Sequence, residues 1–119
     1  MWYEMKSRTT PDTVGLIADV TVSAGSPWFD GHFPDQPVLP GIAQLDIVFD
    51  LIRRHAGQPL RMVAVNRVRF KQIIVPDARL TVVAAPRQAD DSVWNFRLEN
   101  TAGLVTTGTM QVAIASKQQ

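Results

Sequence analysis

The sequence has no cysteine among its 119 residues. Disulfides, thiolate nucleophiles and cysteine-based metal sites are excluded outright, and thiol redox chemistry with them. It also lacks an excess of charge: 12 Lys+Arg against 11 Asp+Glu leave a formal net charge of +1. That balance supplies no general field for nucleic acid or anionic lipid, so a charged partner has to be recognised locally. Long hydrophobic runs are missing too. No window approaches the roughly 18 apolar residues of a membrane span, and the opening Met-Trp-Tyr-Glu-Met-Lys has no apolar stretch of signal-peptide length. The expectation is a cytoplasmic protein with neither membrane nor nucleic acid as partner. No repeat or linker divides the chain, and a hydrophobic content of 45% suits a single domain over residues 1–119. A domain this small buries only about two thirds of the surface its unfolded chain exposes, which makes oligomerisation a natural source of further burial.

What is present is one helical pattern among several strand patterns. Thr13 to Ser23 is rich in β-branched residues and reads as a strand, broken by Gly25, Ser26 and Pro27. Trp28 to Gly41 contains Pro34, Pro37 and Pro40, too many for a central strand or helix, and reads as an ordered loop. Beyond it Ile42, Leu45, Phe49 and Ile52 recur at three- and four-residue steps with Val48 beside them, until Gly57 and Pro59 intervene. This predicts a helix from Gly41 to about His55. Ile47 and Leu51 lie off that stripe, so apolar side chains cover most of its circumference, as in a helix buried on several sides. Arg61–Phe70, Arg79–Pro86, Val93–Asn100 and Leu104–Ala115 read as strands joined by hairpins. One buried helix followed by antiparallel strands is an α+β arrangement, the sheet packed on or wrapped around the helix.

The chemistry concentrates between Trp28 and Asp50. Three prolines restrict the loop that bears His32, so its imidazole can be held in one place. At the predicted helix start, Gly41 has no Cβ, and the first backbone amides have no partner within the helix. With the helix dipole behind them they suit the oxyanion that forms when a proton leaves the carbon beside a thioester carbonyl. Asp46 stands five residues on, roughly 7.5 Å along the axis. It is a carboxyl among apolar neighbours, where partial desolvation would favour the protonated acid that can donate to a departing hydroxyl. Taken singly, each has a plainer reading: a loop hydrogen-bond donor for His32, a solvated position or an ion pair with Arg53 or Arg54 for Asp46, and an ordinary helix start for Pro40-Gly41.

Taken together, Gly31-His32-Phe33-Pro34, Pro37-Val38-Leu39-Pro40-Gly41 and Asp46 resemble the active-site segment of the bacterial 3-hydroxyacyl-acyl carrier protein dehydratases. The histidine precedes the acid by fourteen positions with Pro-Gly in register between them, as in that family. The stretch from Val68 to Leu80 resembles the strand, turn and strand after its helix, so the likeness covers Trp28 to Leu80 and more loosely the rest. The family's acid is Glu in the branch that only dehydrates and Asp in the branch that also isomerises.

The resemblance implies a hotdog fold, an antiparallel sheet wrapped around a long central helix. It also implies paired subunits, a homodimer or higher oligomer in which His32 of one chain faces Asp46 of the other. The substrate would be a 3-hydroxyacyl thioester on the phosphopantetheine arm of an acyl carrier protein, with no metal or other cofactor, in fatty acid or related polyene or polyketide lipid synthesis. His32 would take the C2 proton, Gly41 hold the thioester oxygen with Phe33, Val38 and Pro40 around the substrate, and Asp46 protonate the leaving hydroxyl. Asp50 departs from the family, which usually has Gln there. It would either repel Asp46 and strengthen it as an acid, or be neutralised by Arg53 or Arg54. Arg67, Arg69 and Lys71 alternate along one predicted strand and would present a basic face to an acidic carrier protein, or to solvent alone. Two rivals remain: a hotdog thioesterase, which would not need the Gly-His-Phe-Pro loop, and a catalytically silent acyl-binding subunit of a heterodimer.

Overall fold

The computed structural model describes residues 2–8, 15–30 and 37–115. The elements run β1 (Glu4–Arg8), β2 (Leu16–Val22), a 3₁₀ turn (Pro27–Phe29), α1 (Gly41–Ala56), β3 (Leu60–Phe70), β4 (Ala78–Pro86), β5 (Val93–Asn100) and β6 (Gly103–Ile114). The six strands form one antiparallel sheet in the order β1-β2-β4-β5-β6-β3. This is the α+β hotdog arrangement that the resemblance implies. No helix among the described residues is long and apolar enough to cross a membrane.

The strand periodicity of two sets which side chains meet the helix. Ala18, Val20 and Val22 of β2, then Leu80, Val82 and Ala84 of β4, are buried at alternate positions. Ala18 pairs with Val82, Val82 with Leu98 and Leu98 with Thr106, so one inner row crosses four strands beneath α1. In the next row Phe96 pairs with Gly108, where an added Cβ would lie 2.7 Å from the ring's Cζ. The missing side chain is what lets the buried ring pack closely against β6.

The helix docks with a different phase from the one the sequence suggested. Ala43, Ile47, Val48, Leu51 and Ile52 are buried, whereas Ile42 is 73% exposed and Leu45 and Phe49 are half-buried. Ile47 and Leu51, placed off the main stripe, are at the centre of the core. Because α1 is apolar nearly all round, periodicity fixed its character but not the side that meets the sheet. Full burial of each such aliphatic side chain stabilises the fold by about 1.5–3 kcal/mol. The helix ends at Gly57 in the left-handed conformation (φ 69°), after Arg53, Arg54 and His55 in its last turn complement the dipole.

Strand β3 is an edge with two irregularities. Met62 pairs with Val112 but Ala64 with Gln111, and Asn66 pairs with Thr109 but Arg69 with Thr107, so each bulge adds one residue. Leu60, Met62, Val65 and Val68 therefore all pack on the core despite uneven spacing. Arg67, inside the second bulge, is left-handed at φ 56°. Strand β1, at the other edge, was not anticipated: Glu-Met-Lys-Ser-Arg carries no apolar alternation to betray it.

Candidate active site

At the N-terminal end of α1 the chain forms a cavity of about 200 Å³ lined by Val38, Leu39, Gly41, Gln44, Phe70, Gln72 and Ile73. Pro40 is the helix N-cap, extended at φ −61° and ψ 151°, and its carbonyl accepts from the amides of Ala43 (3.1 Å) and Gln44 (3.3 Å). The preceding loop is anchored where the Leu39 amide donates to the Ile74 carbonyl at 2.7 Å, both residues being buried. Gly41 is therefore held at the cavity wall with its amide among the first-turn donors that have no carbonyl partner inside the helix. Its lack of a side chain matters for a second reason: an added Cβ would lie 2.6 Å from Cζ of Phe70, whose half-exposed ring covers the helix start.

Of the residues singled out in the motif, Val38 and Gly41 line the cavity and Pro40 caps the helix beside it. His32 and Phe33 lie outside the described residues. Asp46 is exposed, on the same outer stripe as Ile42 and away from this cavity. The desolvation expected for it is not provided by the chain's own fold, because the rotated helix phase turns position 46 outward.

Asp50 is buried, and its two oxygens are fully engaged. Arg53 Nη2 lies 2.5 Å from Oδ1 and Arg54 Nη2 2.9 Å from Oδ2, while the Tyr3 hydroxyl donates to Oδ2. Of the two alternatives for this residue, neutralisation by the arginines is the one observed, with Tyr3 as an unforeseen third partner. Burial opposes ionisation of Asp50, but the hydrogen bonds from Tyr3, Arg53 and Arg54 outweigh it and hold the carboxyl below its ordinary range. Burial, then the hydrogen bond to Asp50, pushes the Tyr3 phenol well above its ordinary value. The Tyr3 ring stacks on Trp28 at 5.3 Å and 10°, and Trp2 tilts against Trp28 at 5.4 Å.

Arg67, Arg69 and Lys71 are all exposed. They do not form the regular alternating row expected of one strand, since Arg67 occupies the bulge and Lys71 follows the end of β3, its amide donating to the Val105 carbonyl. Sequence reasoning also missed Gln44. It is 3% exposed, and its Oε1 accepts from the hydroxyl of buried Thr106. An amide three residues after Gly41, on the inward stripe that continues through Val48 and Ile52, was the available signal, and only the helix phase makes it readable. A larger cavity of about 510 Å³ lies at the opposite end of α1, lined by Ile52, His55, Leu60, Trp94 and others. His55 is about 21 Å along the axis from Gly41, so this cavity is remote from the helix-start donors.

Solved structures share this architecture. The dehydratase heterocomplex ApeI:P from Xenorhabdus doucetiae gives a TM-score of 0.73 at 20% identity, over 92% of this chain and 98% of that one. An uncharacterized protein from Erwinia carotovora subsp. atroseptica gives 0.75 at 23% identity, over 98% and 96%. These likenesses establish the hotdog class. In sequence, the 3-hydroxyacyl-acyl-carrier-protein dehydratase FabZ of Streptococcus pneumoniae (strain Hungary19A-6) is 31% identical over 118 residues, covering 92% of this chain and 83% of that protein. Residues 6–109 match the sequence model described as ApeI-like, ApeI dehydratase, and the chain belongs to that dehydratase family.

Proposed function

We propose that this chain removes water from a 3-hydroxyacyl thioester carried on acyl carrier protein, giving the trans-2-enoyl thioester, in fatty acid or related polyene or polyketide lipid synthesis. The observation that carries the reading is the cavity at the start of α1, where Gly41 offers an amide donor beside apolar Val38 and Phe70. Membership of the dehydratase family supports it. The thioester oxygen rests on the Gly41 amide. His32 takes the proton from C2, the C3–O bond breaks as the C2=C3 bond forms, and Asp46 gives its proton to the departing hydroxyl. Proton transfer from His32 back to Asp46 restores the starting state.

The working unit in this proposal is two chains, with Asp46 of each completing the other's site. Its support is that Asp46 shares an outward stripe with Ile42, while Ile73, Val75 and Phe70 are also exposed beside an edge strand. A partner over that surface would supply the desolvation that one chain does not. The exposed Arg67, Arg69 and Lys71 suit the acidic carrier.

The test is ultraviolet absorbance of the conjugated enoyl thioester formed from 3-hydroxyacyl carrier protein, with free thiol followed in parallel. His32→Ala and Asp46→Asn should each lower turnover by about 10²- to 10⁴-fold while preserving the melting temperature. Thiol release without enoyl product would make the chain a thioesterase. The heterocomplex named for the Xenorhabdus neighbour favours one second reading, a subunit that works only beside a different chain. A purified homo-oligomer that turns over substrate excludes it.

A further inference from the structure

The inner face of α1 is hydrocarbon at Ala43, Ile47, Val48, Leu51 and Ile52, and Gln44 interrupts it. Burying a primary amide there is costly unless its polar atoms are matched, whereas an apolar pair in place of Gln44 and Thr106 would be nearly neutral. Thr106 belongs to the inner row beneath the helix and is fully buried, and its hydroxyl donates to Gln44 Oε1 at 2.5 Å. In that pairing the oxygen end of the carboxamide faces the sheet. The NH₂ end has no protein acceptor among the described residues, and no buried side-chain nitrogen or oxygen among them lacks a partner. Gln44 lines the cavity together with Gly41, and the nitrogen, the end turned away from Thr106, is the donor it has available for that space. Gln44 follows Gly41 by three residues, about 4.5 Å along the axis and within 60° around it. A side-chain donor and a backbone donor thus converge on one small space.

From this geometry we infer that Gln44 is a second hydrogen-bond donor to the thioester carbonyl oxygen, and that Thr106 is the positioning residue that aims it. The inference deepens the dehydratase reading and rests on it for the identity of the substrate. As negative charge builds on the oxygen during loss of the C2 proton, two preorganised donors hold it better than one. The pairing with Thr106 holds the carboxamide with its oxygen toward the sheet and its NH₂ end toward the cavity side.

Gln44→Leu should lower kcat by about 10²- to 10³-fold, with KM changed far less. Thr106→Val leaves the donor present but unaimed and should cost about tenfold on the same scale. The deciding variant is Gln44→Leu combined with Thr106→Val, which removes both polar partners and restores an apolar contact. If the pair serves only the fold, the double variant regains wild-type turnover along with its melting temperature, and the inference is overturned. If Gln44 touches substrate, stability recovers and kcat stays low. The same double variant decides the matter if Gln44→Leu alone fails to fold.

A readout independent of turnover is the infrared stretch of a ¹³C-labelled carbonyl in a trans-2-enoyl thioester of N-acetylcysteamine bound to the protein. Donation lowers that frequency, and in the double variant it should move back toward the value in free solution. A wild-type protein that shifts the carbonyl through Gln44 yet never dehydrates would sink the dehydratase reading and leave this one standing. Turnover undiminished in the double variant would do the reverse.

Discussion

Replacing Tyr3 by Phe removes one hydroxyl and leaves the ring on Trp28. The lost interaction is a hydrogen bond to the buried Asp50 carboxylate. Bonds to charged groups contribute about 1.5–3 kcal/mol. Asp50 keeps Arg53 and Arg54 and lies at the rim of the core, so about 1–2 kcal/mol is expected. Unfolding entropy of about 2.1 cal/mol/K per residue makes each 1 kcal/mol worth about 4 °C in a chain of 119 residues. The variant should therefore melt about 4–8 °C lower at neutral pH. The pH dependence sharpens the test. Tyr3 is held above its ordinary 10.0 in the folded chain, so its contribution is complete below pH 10 and is lost as the unfolded phenol ionises above it. The gap between wild type and variant should narrow as the pH rises past 10 toward 11. Asp50 acts at the other limit: its lowered value gives stability that is present above pH 3.8 and lost as the pH falls through the folded value. Circular dichroism melts at pH 7 and 11 measure the first effect. Because the chain has one tyrosine, its phenolate absorbance reports the titration directly. A variant melting within about 1 °C of wild type at pH 7, or a gap unchanged at pH 11, would refute the reasoning.

Gly108→Ala places a methyl group 2.7 Å from the buried Phe96 ring, which has no free space to yield, and should cost about 1–3 kcal/mol in a denaturant titration. Gly41→Ala meets Phe70 at 2.6 Å, but that ring is 52% exposed and can swing away. The change should leave the melting temperature nearly intact and raise KM by filling the cavity mouth, and Phe70→Ala in the same chain should relieve it. Ile47→Ala empties a fully buried position and should cost about 2–5 kcal/mol. Ile42→Ala, at a residue 73% exposed in one chain, should leave subunit folding intact and weaken self-association in sedimentation; a subunit unfolded by that change would contradict the helix phase described above.

Much of the fold was legible because alternation along β2, β4, β5 and β6 and the three- and four-residue steps of α1 are written in side-chain polarity. The helix bounds Gly41–Ala56 and the strand Val93–Asn100 agree with the sequence reading. Strand β1 was not legible, because a short edge strand is mostly solvated and its residues are chosen for charge. Nor was the phase of α1, since Ile42 and Ile47 are equally apolar and only the sheet decides which is covered. The site was legible where it depends on backbone: Pro40 caps and Gly41 begins the helix. It was opaque where it depends on contacts distant in sequence, such as Thr106 with Gln44, Phe70 over Gly41, or Tyr3 with Asp50.

The two edges of the sheet are unlike, and the difference bears on the proposed pair of chains. Strand β1 is five residues long and exposes Glu4, Lys6 and Arg8, a combination that repels another strand. Strand β3 is eleven residues long, with an unpaired side and exposed Val63. If the proposed pair forms by β3 against β3, the outer margins of the joint sheet are both guarded β1 strands, so edge-to-edge growth stops at two chains and no open edge is left to template a fibril.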